Sequence, residues 1–240
     1  MALAHDALLY QVSGARKIYL NTQVDDVHLS TPLYHPAGSE FRLRPADLEA
    51  HVSWQADVNS RLPTGSDYFI ELAHNGNGAI AAALGASDDP PCTPDHAVEY
   101  DLPQAPYEWK KPLGTGVDYW DEEWDEYPWE QQCPASDELA QWFLDTGNRD
   151  AFAHVSHTFT HEEMNNGTFR DASLEIRFNQ AWLKQMGFTD ARSWSPDGIV
   201  PPAITGLHNG DAIRAWMENG ISYVVGDNTR PSLKNTVSPV

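Results

Sequence analysis

Apolar positions follow a strand, helix, strand rhythm near both ends of the chain and lose it in the middle. Residues 17–24 (KIYLNTQV) are dense in strand formers and run directly into Asp25 and Asp26. This predicts a buried strand that delivers two adjacent carboxylates to its C-terminal edge. Residues 45–62 open on a proline, carry Asp47 and Glu49 in the first turns, and set Leu48, Val52, Ala56 and Val58 along one side, which predicts a helix. Residues 67–72 read as the next strand, and the His74-Asn75-Gly76-Asn77-Gly78 run after it reads as a tight loop.

Between residues 87 and 136 the periodicity disappears. Prolines are frequent, and the acidic-aromatic run 119–129 (YWDEEWDEYPW) falls here, so the segment reads as a loop-rich insertion. Order returns with a short helix over 138–144, a strand over 150–156 and a helix over 170–186 that Gly187 stops. Residues 194–202, with three prolines, read as a rigid loop. A helix over 211–218 and a strand over 221–225 follow. This alternation is that of a single α/β domain over 1–240, and it ends without a further helix–strand unit, so a repeating barrel is expected to be C-terminally incomplete here.

Composition narrows the partners. With 15 Lys+Arg against 35 Asp+Glu the formal net charge is -20, which repels polyphosphate and disfavours nucleic acid and anionic membranes. No stretch is apolar enough to span a membrane, and the first residues lack the pattern of a signal peptide. Cys92 and Cys133, the only cysteines, both lie in the insertion, so one disulfide can close it in an oxidising compartment. Asn166-Gly167-Thr168 is a glycosylation sequon in what reads as an exposed turn. Nine tryptophans occur, and Trp120 and Trp124 offer flat faces for stacking on sugars, or clamps for the loop that carries them.

Two clusters carry chemistry. Asp25-Asp26 at a strand end can divide its labour, one carboxylate binding a metal and the other taking a proton. Taken alone, the pair also suits a turn or a helix cap. His157-Thr158-Phe159-Thr160-His161 sets two imidazoles four residues apart, a spacing that one helical turn brings onto one side and into reach of one ion. Two His and one Asp leave coordination positions open, the arrangement of a hydrolase. His154 alternates with Phe152 and Ser156 and reads as structural. His28, His74 and His96 are weaker candidates.

Thr22-Gln23-Val24-Asp25-Asp26 resembles the first motif of the NodB-like polysaccharide deacetylases, and His157-Thr158-Phe159-Thr160-His161 resembles the second. With Leu29-Ser30-Thr31, the 75–78 loop and Ile204-Thr205-Gly206-Leu207-His208-Asn209, the fuller pattern is similar to the fungal galactosaminogalactan deacetylases of carbohydrate esterase family 18. The resemblance spans roughly residues 17–230. It implies a partial, distorted (β/α) barrel and a secreted, extracellular or cell-wall enzyme. That enzyme would remove N-acetyl groups from an N-acetylhexosamine polysaccharide such as a fungal exopolysaccharide. It implies Asp25 as general base and Asp26, His157 and His161 as ligands of a divalent metal, Zn2+ first with Co2+ or Ni2+ as alternatives. Residues 195–209 lie where the family's third motif would fall but hold no arginine, so Pro202, His208 or Asn209 is expected to shape that substrate wall instead, unless His208 only opens a helix. An arginine-bearing third motif and a late general-acid histidine are not recognisable in this chain. The alternative is therefore a NodB-like protein that binds carbohydrate without turnover.

Overall fold

A parallel sheet brings Asp25, Asp26, Asn75 and His157 to one edge, each just past the end of a strand. The computed structural model describes residues 19–99, 105 and 110–226. Strand β1 (Thr22–Val24) leads through Asp25 and Asp26 into a two-stranded hairpin, β2 (Thr31–Pro32) and β3 (Glu40–Phe41), and then α1 (Pro45–Arg61). Next come β4 (Ile70–His74), α2 (Gly76–Gly85) and the long segment 86–133, whose described residues form neither helix nor strand. After it follow α3 (Glu138–Trp142), α4 (Thr146–Arg149), β5 (Ala153–Ser156), α5 (Phe169–Gln185), β6 (Trp194–Ile199), α6 (Gly210–Glu218) and β7 (Tyr223–Val224).

The sheet order is β1-β4-β5-β6-β7, with every pairing parallel. Each new strand joins the same growing edge, which is the winding of a (β/α) barrel rather than of an open sheet whose order reverses. The five strands make a half-barrel, the partial barrel read from the sequence. Its C-terminal face gathers Asp25 and Asp26 after β1, Asn75 after β4, His157 after β5 and Val200 after β6. That is the face on which barrels build their sites.

Several elements differ from the sequence reading. The first strand is shorter than 17–24, and its Lys17 and Ile18 lie outside the described residues. Residues 76–78 open α2 instead of forming a loop. A Cβ on Gly76 would meet the Trp182 ring at 2.7 Å and Phe159 at 2.8 Å, and one on Gly78 would meet the His28 carbonyl at 2.5 Å. Those glycines serve close packing of a helix, not a turn. Residues 194–199 form a strand despite Pro196. Its register against β5 shifts between His154 and Ser156, and that irregularity accommodates a residue with no N–H to give. In the sequon, Gly167 is buried and bridges to Val117, so this turn is packed under the insertion rather than exposed.

The insertion belongs to the core. Trp120, Trp124 and Trp129 pack with Phe159, Phe178 and Trp182 in the main apolar cluster. The segment is closed by a Cys92–Cys133 disulfide with Cα atoms 4.6 Å apart. Burying each such aromatic side chain is worth roughly 1.5–3 kcal/mol, which lets a loop this long hold one shape.

Candidate metal centre

The site is assembled by three chain reversals. Among the described residues, the non-glycine residues with positive φ are Asp26 (55°), Thr158 (64°), His161 (71°), Ala203 (50°) and Ile204 (61°). All lie in the three segments that meet at this site. Left-handed backbone disfavours side chains like these, especially the β-branched Thr158 and Ile204, and such strain persists only where surrounding structure enforces it. Asp26 turns its carboxylate back over the sheet edge. Thr158 and His161 fold residues 157–161 into an irregular loop, so His161 returns to His157 without the helical turn that the spacing suggested.

Three side chains converge. Asp26 Oδ1 lies 3.1 Å from His157 Nε2 and 3.3 Å from His161 Nε2. One ligand atom from each lies within 4.8 Å of the others, the only such His/Cys/Asp/Glu group of three or more among the described residues. His157 is buried, while Asp26 and His161 are partly open to solvent. Burial opposes charge on Asp26, but the hydrogen bond to His157 and the nearness of both imidazoles outweigh it and hold the carboxyl below its ordinary range. Burial, and then His157, lower the pKa of His161, with Asp26 and Asp25 pulling the other way.

Proton positions show what the cluster suits. His157 Nδ1 lies 2.8 Å from the Val200 carbonyl, an acceptor, so Nδ1 carries a proton; Nε2 donates to Asp26 only when the ring holds a second proton and otherwise faces it with a lone pair. His161 Nε2 accepts the Ala203 N–H at 3.3 Å, so it is unprotonated, and it lies equally near Asp26 Oδ1, where an ion can take it in exchange for that bond. Two imidazole nitrogens and a carboxylate oxygen brought this close repel one another unless a proton or a cation lies between them. The depressed pKa of His161 disfavours a second proton. The nitrogen and oxygen donors fit a divalent cation such as zinc, with positions left open.

Asp25 stands outside this triad and is exposed, yet its charge acts on His161. The other expected contacts are placed differently. Trp120 (3 % exposed) and Trp124 (6 %) are core residues with no free face for a sugar. Asn209 is fully buried: its Oδ1 caps α6 through the N–H groups of Asp211 and Ala212, and its amide donates to the carbonyls of Met164 and Gly167. It therefore cannot line a substrate wall. His208 is half-buried beside it. The segment with no arginine contributes through its backbone instead, by the Val200 carbonyl and the Ala203 N–H. Side-chain reasoning missed both, although the Pro201-Pro202 pair marks a fixed turn there.

Three other histidines, His28, His74 and His154, form a separate buried row. His28 Nε2 lies 3.1 Å from His74 Nδ1, and His74 Nε2 lies 2.9 Å from His154 Nδ1. His154 Nε2 donates to the Arg149 carbonyl at 2.8 Å. His154 is structural, as its alternation implied.

The family described as the Agd3 deacetylase domain matches residues 20–240. Among solved structures, one titled as the crystal structure of Agd3, a novel carbohydrate deacetylase, aligns with a TM-score of 0.87 and 49% identity. The alignment covers 93% of this chain and 34% of that one, so the chain spans about a third of that protein's length. No curated protein matches. Two specific motifs, a half-barrel that brings them together and a family match over nearly the whole chain agree: this chain belongs to the Agd3 deacetylase domain family, within the NodB-like deacetylases.

Proposed function

We propose that the chain is the metal-dependent catalytic domain of a carbohydrate N-deacetylase acting on an N-acetylhexosamine polymer. The observation that carries this is the convergence of Asp26, His157 and His161, with one ligand atom from each within 4.8 Å of the others and Asp25 next in sequence. The solved relative is itself titled a carbohydrate deacetylase. In this reading Asp26, His157 and His161 hold a divalent cation, zinc by donor type. When bound, that cation supplies polarisation of the amide carbonyl and a more acidic water.

Asp25, exposed and outside the ligand set, takes the proton of the water that adds to the carbonyl carbon. The Ala203 N–H donates to His161 Nε2 here, and a cation on that nitrogen would release it to face negative charge on the carbonyl oxygen. The C–N bond then breaks as the departing nitrogen takes up a proton, either the one held by Asp25 or one from solvent, leaving acetate and a free amine on the sugar. The disulfide-closed insertion suits an oxidising, extracellular setting, and no helix among the described residues is long and apolar enough to cross a membrane.

Acetate release from an N-acetylhexosamine oligomer tests the reading. Activity should vanish on chelation and return with zinc or cobalt. Asp25→Asn should lose roughly 10²–10⁴-fold in rate while still taking up metal. Full activity in metal-stripped protein would end the proposal, and sugar binding without any acetate release would favour a non-catalytic carbohydrate-binding protein.

A further inference from the structure

The loop that carries both histidine ligands has its backbone gripped from two sides by buried groups that are not themselves in the ligand set. On the carbonyl side stands Asn75, fully buried between β4 and α2. Its side-chain amide donates to the carbonyl of His157 and, at 3.2 Å, to that of Thr158, the residue at φ 64°. On the amide side stands Glu175, fully buried in the middle of α5. Its Oε2 accepts the N–H of Phe159 at 2.8 Å and of Thr160 at 2.9 Å, and its Oε1 accepts the Thr160 hydroxyl. A further donor reaches Oε1 from elsewhere in the chain: the indole N–H of Trp120, in the insertion, at 3.0 Å.

Three consecutive peptide units between the two ligands, 157–158, 158–159 and 159–160, are thus held by one amide and one carboxylate. A buried carboxylate is costly unless its lone pairs are filled, and here three groups of the loop and one of the insertion fill them. The left-handed conformations at Thr158 and His161 are ones that these residues do not choose by themselves. We infer that Glu175 and Asn75 are positioning residues for the metal centre, and that Trp120 makes the insertion part of that centre by fixing Glu175. The acidic-aromatic segment thereby acquires a role that does not require contact with substrate. The inference rests on the metal-site reading above and concerns what holds the ligands in place.

The test is the affinity of metal-free protein for cobalt alone, read by its visible absorption well below the unfolding temperature, with far-UV circular dichroism as a check on fold. Glu175→Gln keeps the size of the side chain but sets an NH2 against loop donors, and cobalt affinity should fall roughly 10–100-fold. Trp120→Phe keeps an aromatic ring and removes one donor. It should fall several-fold in the same direction, and it serves as the test should Glu175→Gln not fold. A role in stability alone would lower the melting temperature of both variants and leave cobalt affinity at the wild-type value, which overturns the inference while sparing the metal site. A wild-type chain that takes up no cobalt overturns the metal-site reading, and this assignment with it.

Discussion

Asp137 shows how much a single buried side chain can contribute here. It caps α3 through the Ala140 N–H and makes a two-pronged ion pair with Arg42, at 2.9 and 2.7 Å. Burial works against its charge, yet His28 and Arg42 more than compensate and carry its pKa down to about 2. A carboxyl whose folded pKa is depressed stabilises the fold above its unfolded value, near 3.8, and loses that contribution as pH falls toward 2. Asp137→Asn should therefore cost about 2 kcal/mol in denaturant unfolding at pH 7, and the gap to wild type should close as the buffer is taken from pH 4 to pH 2. A gap that stays constant over that range would show that the charge is not what matters. At the proposed metal centre, Asp26→Asn removes the one candidate ligand that contributes negative charge, and should weaken zinc binding on the order of 100-fold or more in calorimetric titration.

At the scale of elements, glycines reveal what local sequence concealed. Asn75-Gly76-Asn77-Gly78 has every residue of a turn, yet it starts α2, because only glycine lets that helix approach Trp182, Phe159 and the His28 carbonyl. Gly76→Ala should destabilise the fold by about 1–3 kcal/mol in chemical denaturation, and no side-chain rotation relieves it because aromatic rings stand on two sides. The ends of β1 and β5 were legible from sequence because their chemistry sits directly after apolar runs, and the Asp and His motifs are specific. The path between His157 and His161 was not legible: its left-handed residues are imposed by Asn75 and Glu175, both remote in sequence. Strand β6 was hidden by Pro196 and Gly198, which local rules assign to a loop and which an irregular pairing with β5 accommodates. Trp120 and Trp124 look the same in sequence whether they face solvent or core. Only the placement of Phe159 and Phe178 beside them decides it.

For the molecule as a whole, the half-barrel supplies the site and the insertion braces it. The Cys92–Cys133 crosslink closes a separation of 41 residues, so replacing both cysteines with serine should cost roughly 4 kcal/mol by chain entropy, read as a lower denaturant midpoint. The same variant should bind metal more weakly if the insertion supports the ligand loop through Trp120. The surface carries a strong negative charge, formally -20 over the chain, which favours neutral sugars or polymers already bearing free amines over anionic ones. All of this depends on a cation shared by residues from two distant parts of the chain. The most direct test is titration of metal-free protein with cobalt, followed by its visible absorption, in wild type beside Asp26→Asn and His161→Gln. The account predicts one equivalent taken up by the wild type, with binding severely weakened in each variant. Stoichiometric binding that survives both substitutions unchanged would contradict it.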